Sequence, residues 1–502
     1  MGKKDRIIEN RTVGRQLPEL LNFRQRIIFC LASLAILCSI SAIAQENTTD
    51  YWMDRAGESI DNGSIEGAIL AYDEALKIEP ENTSILFWKA SDLSVLGRMN
   101  ESREVYENAL RILEKVLKKN PEDADSWLKM GGILSSLNRQ NESRTSYEKS
   151  LETLNKRIVA NPKDVDAWIG KGNALLNIGK WDEAQDAYNK AIEIDSQDYR
   201  AWARKAEVIG RIGDINESME AYDKTIELMS ANNTQELAEI WRSRAEVLAY
   251  GLMKDESQRT GRLEEALVAI NHSLELDPQS STKWQFKADI LSQIGCKDEA
   301  VEALDEALEQ NPEDADSWLW KASLLMEKKK FNESREAYDR AIELIPEDNA
   351  KDLAECWLSK GLALNKTGRQ NEADAAFQRS LEFCDQAISK NAGDISLLEQ
   401  KGKALFELGR YNEAVVVYDL ALNNSPDIEL STIKISAWIG KGDALRALGK
   451  NEEAILAYNK AIELGPHYSN AWQGKGEAQK AMGQIGNASL SFLVADKLGY
   501  ED

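Results

Sequence analysis

The chain has 502 residues, with 62 Lys and Arg against 85 Asp and Glu, a formal net charge of −23. That balance argues against broad nucleic-acid binding, which needs basic patches facing phosphate, so no nucleic-acid partner is expected. Two histidines, His272 and His467, and five cysteines without a C-x-x-C pair offer no histidine-rich or zinc-type site, and no metal or cofactor is expected.

Residues 1–26 form a basic end, in which Lys3, Lys4, Arg6, Arg11, Arg15, Arg24 and Arg26 face only Asp5, Glu9 and Glu19. Eighteen uncharged, mostly apolar residues follow from Ile27 to Ala44 and close on Ala42-Ile43-Ala44. A basic flank, an apolar stretch and a small-x-small ending are the pattern of an export signal. If retained, the stretch is also just long enough to cross a bilayer, at about 27 Å. Residues 1–44 are therefore expected to be either a signal peptide cut near Ala44 or a single transmembrane anchor over 27–44. Either way residues 45–502 are expected outside the cytoplasm, attached to the membrane only if the segment is not cleaved.

Beyond the signal lie twelve N-x-[ST] triplets, at Asn47, Asn62, Asn82, Asn100, Asn141, Asn216, Asn232, Asn271, Asn332, Asn365, Asn423 and Asn487. In an exported chain these are candidate glycosylation sites. Four of them are copies of one phrase, Asn-Glu-Ser, so a capping Asn and a small packing Ser explain the same letters.

One phrase returns along the whole remainder. Between residues 167–194 and 437–464, nineteen of 28 positions are identical, including Trp168-Ile-Gly-Lys-Gly172 and Trp438-Ile-Gly-Lys-Gly442. Anchors recur at Trp52, Leu86, Trp127, Trp168, Trp202, Trp241, Trp284, Trp318, Trp357, Leu398, Trp438 and Trp472, a period near 34 with insertions. Twelve such units account for every residue from Thr49 to Asp502, which leaves no room for a separate catalytic domain.

Numbering each anchor as position 4, position 8 is Ala or Gly throughout (Ala56, Gly131, Gly172) and position 20 is Ala or Ser (Ser102, Ala184, Ala454). Position 24 is aromatic in ten units, and Pro closes most of them, as at Pro121, Pro162 and Pro312. This pattern resembles the tetratricopeptide repeat family over the whole chain beyond residue 44. The resemblance implies an all-α fold, a right-handed superhelical solenoid of antiparallel helix pairs with a concave groove lined by first helices. One departure stands out: position 7, usually Leu in the family, is basic in eleven units.

The spacing agrees with the name, because small residues at 8 and 20 let two antiparallel helices approach closely. Asn or Asp at position 18 is expected to cap the second helix. Seven-residue insertions before Pro121, Pro162 and Ala392 add about two helical turns and keep the buried face. Five-residue insertions ending at Trp241 and Trp357 are expected to lengthen first helices, and the stretch from about Tyr250 to Thr260 reads as a polar loop. Apparent catalytic motifs fail on context: Gly170-Lys-Gly172 and its copies sit at packing positions, and Lys366-Thr367-Gly368 is an inter-helix turn. Cys356 and Cys384 stand near the ends of antiparallel partners, either as separate buried thiols or, after export, as a disulfide.

No enzyme is expected. The resemblance implies a scaffold that binds partner proteins or peptides in its groove; the other reading is a structural envelope glycoprotein without a defined ligand. In the family, first-helix positions 2, 5, 6, 9, 12 and 13 face the groove, and binders of chaperone tails pair Lys at 5 with Asn at 9. Asn173 matches position 9 but Ile169 fills position 5, so acidic chaperone tails are not the expected partner. Trp88, Phe286 and Trp320 occupy position 6 and are candidate partner-binding residues. In the last unit Leu493 and Val494 replace residues that are mostly polar in earlier units, and Leu490 and Leu498 extend that apolar face. A repeat array normally ends on a polar cap, so self-association through this helix is a second expectation.

Overall fold

The computed structural model describes residues 48–61, 63–229, 233–251, 259–391, 393–424 and 432–499. The expected signal or anchor over 1–44, and the sequons at Asn47, Asn62 and Asn232, lie outside the described residues. Among the described residues no helix is long and apolar enough to cross a membrane.

All regular structure among the described residues is helical. The chain runs through α1 (Thr49–Asp61), α2 (Ile65–Ile78), α3 (Thr83–Val95), α4 (Met99–Lys119), α5 (Ala124–Ser136) and α6 (Gln140–Ala160). Next come α7 (Val165–Asn177), α8 (Trp181–Ile194), α9 (Tyr199–Ile212), α10 (Ile215–Leu228), α11 (Thr234–Tyr250) and α12 (Arg259–Leu276). These are followed by α13 (Ser281–Ile294), α14 (Lys297–Gln310), α15 (Ala315–Glu327), α16 (Phe331–Leu344), α17 (Ala350–Lys366) and α18 (Gln370–Lys390). The last are α19 (Ile395–Glu407), α20 (Tyr411–Asn424), α21 (Thr432–Ala447), α22 (Asn451–Leu464), α23 (Ser469–Ala481) and α24 (Ile485–Lys497). They form two compact units divided between Thr282 and Lys283.

Helix lengths follow the insertions. The second helices α4, α6 and α18 have 21 residues, where α8, α16 and α22 have 14. The added seven residues are two turns, so the buried stripe continues without rotating. The five-residue insertions give α11 and α17 their 17 residues. The expected loop from Tyr250 to Thr260 is shorter at its far end, because α12 already begins at Arg259.

Capping differs from the expectation for position 18. Asp123, Asp164 and Asp394 cap the first helices α5, α7 and α19, their side chains accepting backbone N–H bonds. The second helices begin two residues earlier than expected, at position 17, so Asn or Asp at position 18 lies inside the first turn. A glycine turn fixes that start: Gly179 and Gly449 have φ +79° and +75°, and the following Lys180 and Lys450 donate back to Leu175 and Leu445. Lys329 holds the same turn at φ +60° in spite of its side chain. Lys329→Gly should therefore stabilise the protein by about 1 kcal/mol, measurable as a rise in urea midpoint.

Inside each pair the small residues do what their spacing predicts. A Cβ on Gly172 or Gly442 would stand 2.3 or 2.7 Å from the ring of Tyr188 or Tyr458. The buried serines of the Asn-Glu-Ser phrase, Ser102, Ser143, Ser218 and Ser334, donate across the hairpin to the carbonyls of Ala90, Gly131, Ala206 and Ala322. Those four serines have a packing role of their own, while the asparagines before them, Asn100, Asn141, Asn216 and Asn332, are exposed.

Successive pairs are fastened by the residues at positions 4 and 7. The indole N–H of Trp168 donates to the carbonyl of Pro162, and those of Trp127, Trp318 and Trp472 to Pro121, Pro312 and Pro466. The ammonium at position 7 lies over the same indole: Lys171 over Trp168 at 5.1 Å, Lys360 over Trp357 at 4.4 Å. It also reaches back to a carboxylate on the preceding second helix, as Lys360 does to Asp339 at 2.6 Å and Lys441 to Asp419 at 2.5 Å. Basic residues at position 7 are thus part of the stacking contact. Cys356 and Cys384 are separate, fully buried thiols, and burial pushes both up to about 12. No disulfide joins them.

Candidate functional site

The first helices α7, α9 and α11, all in the unit before Lys283, line a groove with two hollows that share Glu207, Tyr222 and Ser243. The smaller, about 420 Å³, lies among Ile169, Asn173, Tyr199, Arg200, Arg204 and Ile240. The larger, about 620 Å³, lies among Trp181, Gly210, Arg211, Arg242, Val247 and Tyr250. From α9 the lining residues are Tyr199, Arg200, Ala203, Arg204, Glu207, Gly210 and Arg211; all but Tyr199, at position 1, are positions 2, 5, 6, 9, 12 and 13. Gly210 is required by packing, since a Cβ there would meet Val247 at 2.8 Å.

Four arginines are held in place by carboxylates. Glu207 accepts from Arg204 at 3.0 Å and from Arg211 at 3.1 Å, one turn to either side on its own helix. Arg200 bridges Asp198 at 2.7 Å and Asp166 at 2.9 Å. Burial works against the charge of Arg242, but Glu239 and Glu246 outweigh it and raise its pKa. A guanidinium has five N–H donors, so one or two ion pairs leave others for a ligand's carbonyl or carboxylate oxygens. Arg204 and Arg211 are more than half exposed.

Aromatic groups complete the lining. Trp181 is 43% and Tyr250 56% exposed, beside the buried ring of Tyr222. Tyr199 donates to Glu236 at 3.0 Å, and Tyr188 donates to Asn173 at 2.7 Å. Burial raises the pKa of Tyr199 and Tyr222, and the one proton of Tyr199 is already given to Glu236. Hollows lined by aromatic rings and flanked by oriented guanidinium donors suit an extended polypeptide with one bulky side chain. Among the described residues no group of His, Cys, Asp or Glu is arranged to hold a metal.

Of the residues picked out from sequence, Asn173 lies in this groove. Trp88 is 50% exposed on α3, its ring edge-on to Phe87 at 5.5 Å. Phe286 and Trp320 are half-buried on successive first helices, α13 and α15. Leu490 and Leu493 are exposed and Val494 half-buried on α24. Asn82 serves as the cap of α3, and Asn365 donates to Glu407 at 3.0 Å. Asn271 is half-buried, and its partner Ser273 is spent on the carbonyl of Ala238. Asn423 and Asn487 are exposed. The arginines were missed, although Arg200, Arg204 and Arg211 stand at groove positions that the repeat register already numbers.

Comparison with known families identifies the class. Models of the tetratricopeptide repeat match residues 82–156, 165–198, 287–349, 354–386, 395–428 and 442–483. The chain carries tetratricopeptide repeats in both of its units. No curated protein matches it. Similar solved structures include yeast Tom70, 13% identical over 90% of this chain and 92% of that chain, with a TM-score of 0.36. Another is the APC/C hetero-tetramer Cut9-Hcn1, 15% identical over 90% and 94%, with a TM-score of 0.37. A tetratricopeptide repeat protein from Parabacteroides merdae is 16% identical over 56% and 98%, with a TM-score of 0.41.

Proposed function

We propose that this protein is a non-enzymatic scaffold of twelve repeat units that holds a partner protein or peptide in the groove of α7, α9 and α11. Tetratricopeptide repeats generally mediate protein–protein interactions. The observation that carries the reading is the coincidence of the two hollows with the groove positions of α9, where three exposed arginines and two exposed aromatic rings converge. Phe286 and Trp320 make a second, apolar station on the other unit. The place of action is outside the cytoplasmic membrane, on the basis of the basic flank and apolar stretch of residues 1–44 and of the sequons.

Mass spectrometry of proteins co-purified with the native chain tests this reading. A scaffold brings at least one stoichiometric partner that an Arg204→Ala, Arg211→Ala variant fails to bring. An envelope spacer without a ligand brings none, and that result would sink the proposal.

A further inference from the structure

The seven-residue insertions lengthen three second helices, and the added ends differ in charge. The last nine residues of α4, Arg111 to Lys119, hold four bases against Glu114 alone. The matching residues 152–160 of α6 hold Lys156 and Arg157, both paired with acids, and residues 382–390 of α18 hold Lys390 against Glu382 and Asp385. On α4, Arg111, Lys115 and Lys118 stand at i, i+4 and i+7, so they make one row about 10 Å long, with Lys119 beside it. All four are exposed, while Ile112, Leu113 and Leu117 are buried on the other side of the helix. Among the described residues the ammonium groups of Lys115, Lys118 and Lys119 meet no carboxylate, and Arg111 bonds the Glu107 carbonyl of its own helix. Lys156 reaches Glu122 at 3.6 Å, which sets the end of α6 beside the loop that follows α4. Val159, 82% exposed, stands there at the register position that Lys118 has on α4.

We propose that this row lays the end of α4 on an anionic membrane surface, with lipid phosphates as its ligand. The groove arginines are held by carboxylates, which aims their donors at a partner of one shape. The lysines of the row are not held, and a flexible ammonium is a point charge that suits a plane of charged headgroups. An exposed valine beside such a row has a place at the apolar edge of the headgroup layer. Of the nearby acids, Glu122 and Glu152 are taken up by Lys156, which leaves Glu114 against four bases. Each base at an anionic surface strengthens the contact about five-fold. Acids more than a Debye length away are screened, so a net charge of −23 does not prevent local contact. The row ends the second hairpin after the apolar stretch 27–44, and that stretch, if retained, holds it near the surface at high effective concentration.

Lysine acylation of the full chain, read by mass spectrometry, decides this and does not depend on the groove. The chain is mixed with vesicles of phosphatidylcholine, or with vesicles one-third phosphatidylglycerol; the neutral set removes any contribution of residues 27–44. Acylation of Lys115, Lys118 and Lys119 should fall about five-fold or more on the anionic vesicles and recover in high salt. Lys450 and Lys480, also exposed and without a carboxylate partner among the described residues, should not change. In a Lys115→Glu, Lys118→Glu variant Lys119 should lose its protection at an unchanged melting temperature, and in Lys115→Arg, Lys118→Arg it should keep it. Equal acylation on the two kinds of vesicle would overturn the proposal. So would equal protection of Lys450 and Lys480, or protection that needs an acidic protein and no lipid.

Discussion

Replacing Tyr188 by alanine should cost the protein about 3–5 kcal/mol, the range for deleting a fully buried aromatic side chain. The ring has no exposed surface and fills the space that Gly172 leaves beneath it. Its removal opens a cavity between α7 and α8 that neither helix can close without losing its contact with the next pair. Tyr188→Phe keeps the ring and loses only the bond to Asn173, so about 0.5–1.5 kcal/mol is expected. Because a repeat array unfolds in parts, hydrogen exchange of α7 and α8 is the suitable measure, and protection of more distant pairs should change little. The same burial makes a prediction about pH. Tyr188, Tyr222 and Tyr458 all have pKa values raised above 10.0 by burial, so the folded chain holds their protons more tightly than the unfolded one. The resulting stability is complete below pH 10 and is lost as pH rises above it, visible as alkaline unfolding in circular dichroism.

Removing the guanidinium groups of Arg204 and Arg211 should weaken partner binding by about 30-fold or more, the effect of losing one interfacial hot spot. Stability should hardly move. Both side chains are more than half exposed, and the ion pairs they make with Glu207 lie within one helix, where each contributes only ~0.3–0.5 kcal/mol. Lysine at both positions should recover part of the affinity, since it keeps the charge but loses the planar set of donors. Titration calorimetry with the co-purified partner reads these differences. Affinity equal to the wild type in the double alanine variant would show that the groove is not where the partner sits.

The repeat period, the close-packing residues and the lengthened helices were legible because each depends on contacts within one hairpin or on the period of a helix. The seven-residue insertions could be placed from arithmetic alone. The position-18 caps were misread because the turn is set three residues earlier, by a glycine in the left-handed region such as Gly179, which a side-chain rule does not register. The bases at position 7 looked like a departure because their partners lie on the preceding hairpin: Lys360 bonds Asp339 and Lys441 bonds Asp419. The groove was the least legible part, because Trp181, Arg204 and Tyr250 come from three repeats and become neighbours only when those repeats stack.

The most direct test of the account is hydrogen exchange on the full chain with and without its co-purified partner. Partner binding in the groove should bring new protection on α7, α9 and α11, centred on residues 199–212 and absent from the Arg204→Ala, Arg211→Ala variant. Protection confined to other helices, with these three unchanged, would contradict it.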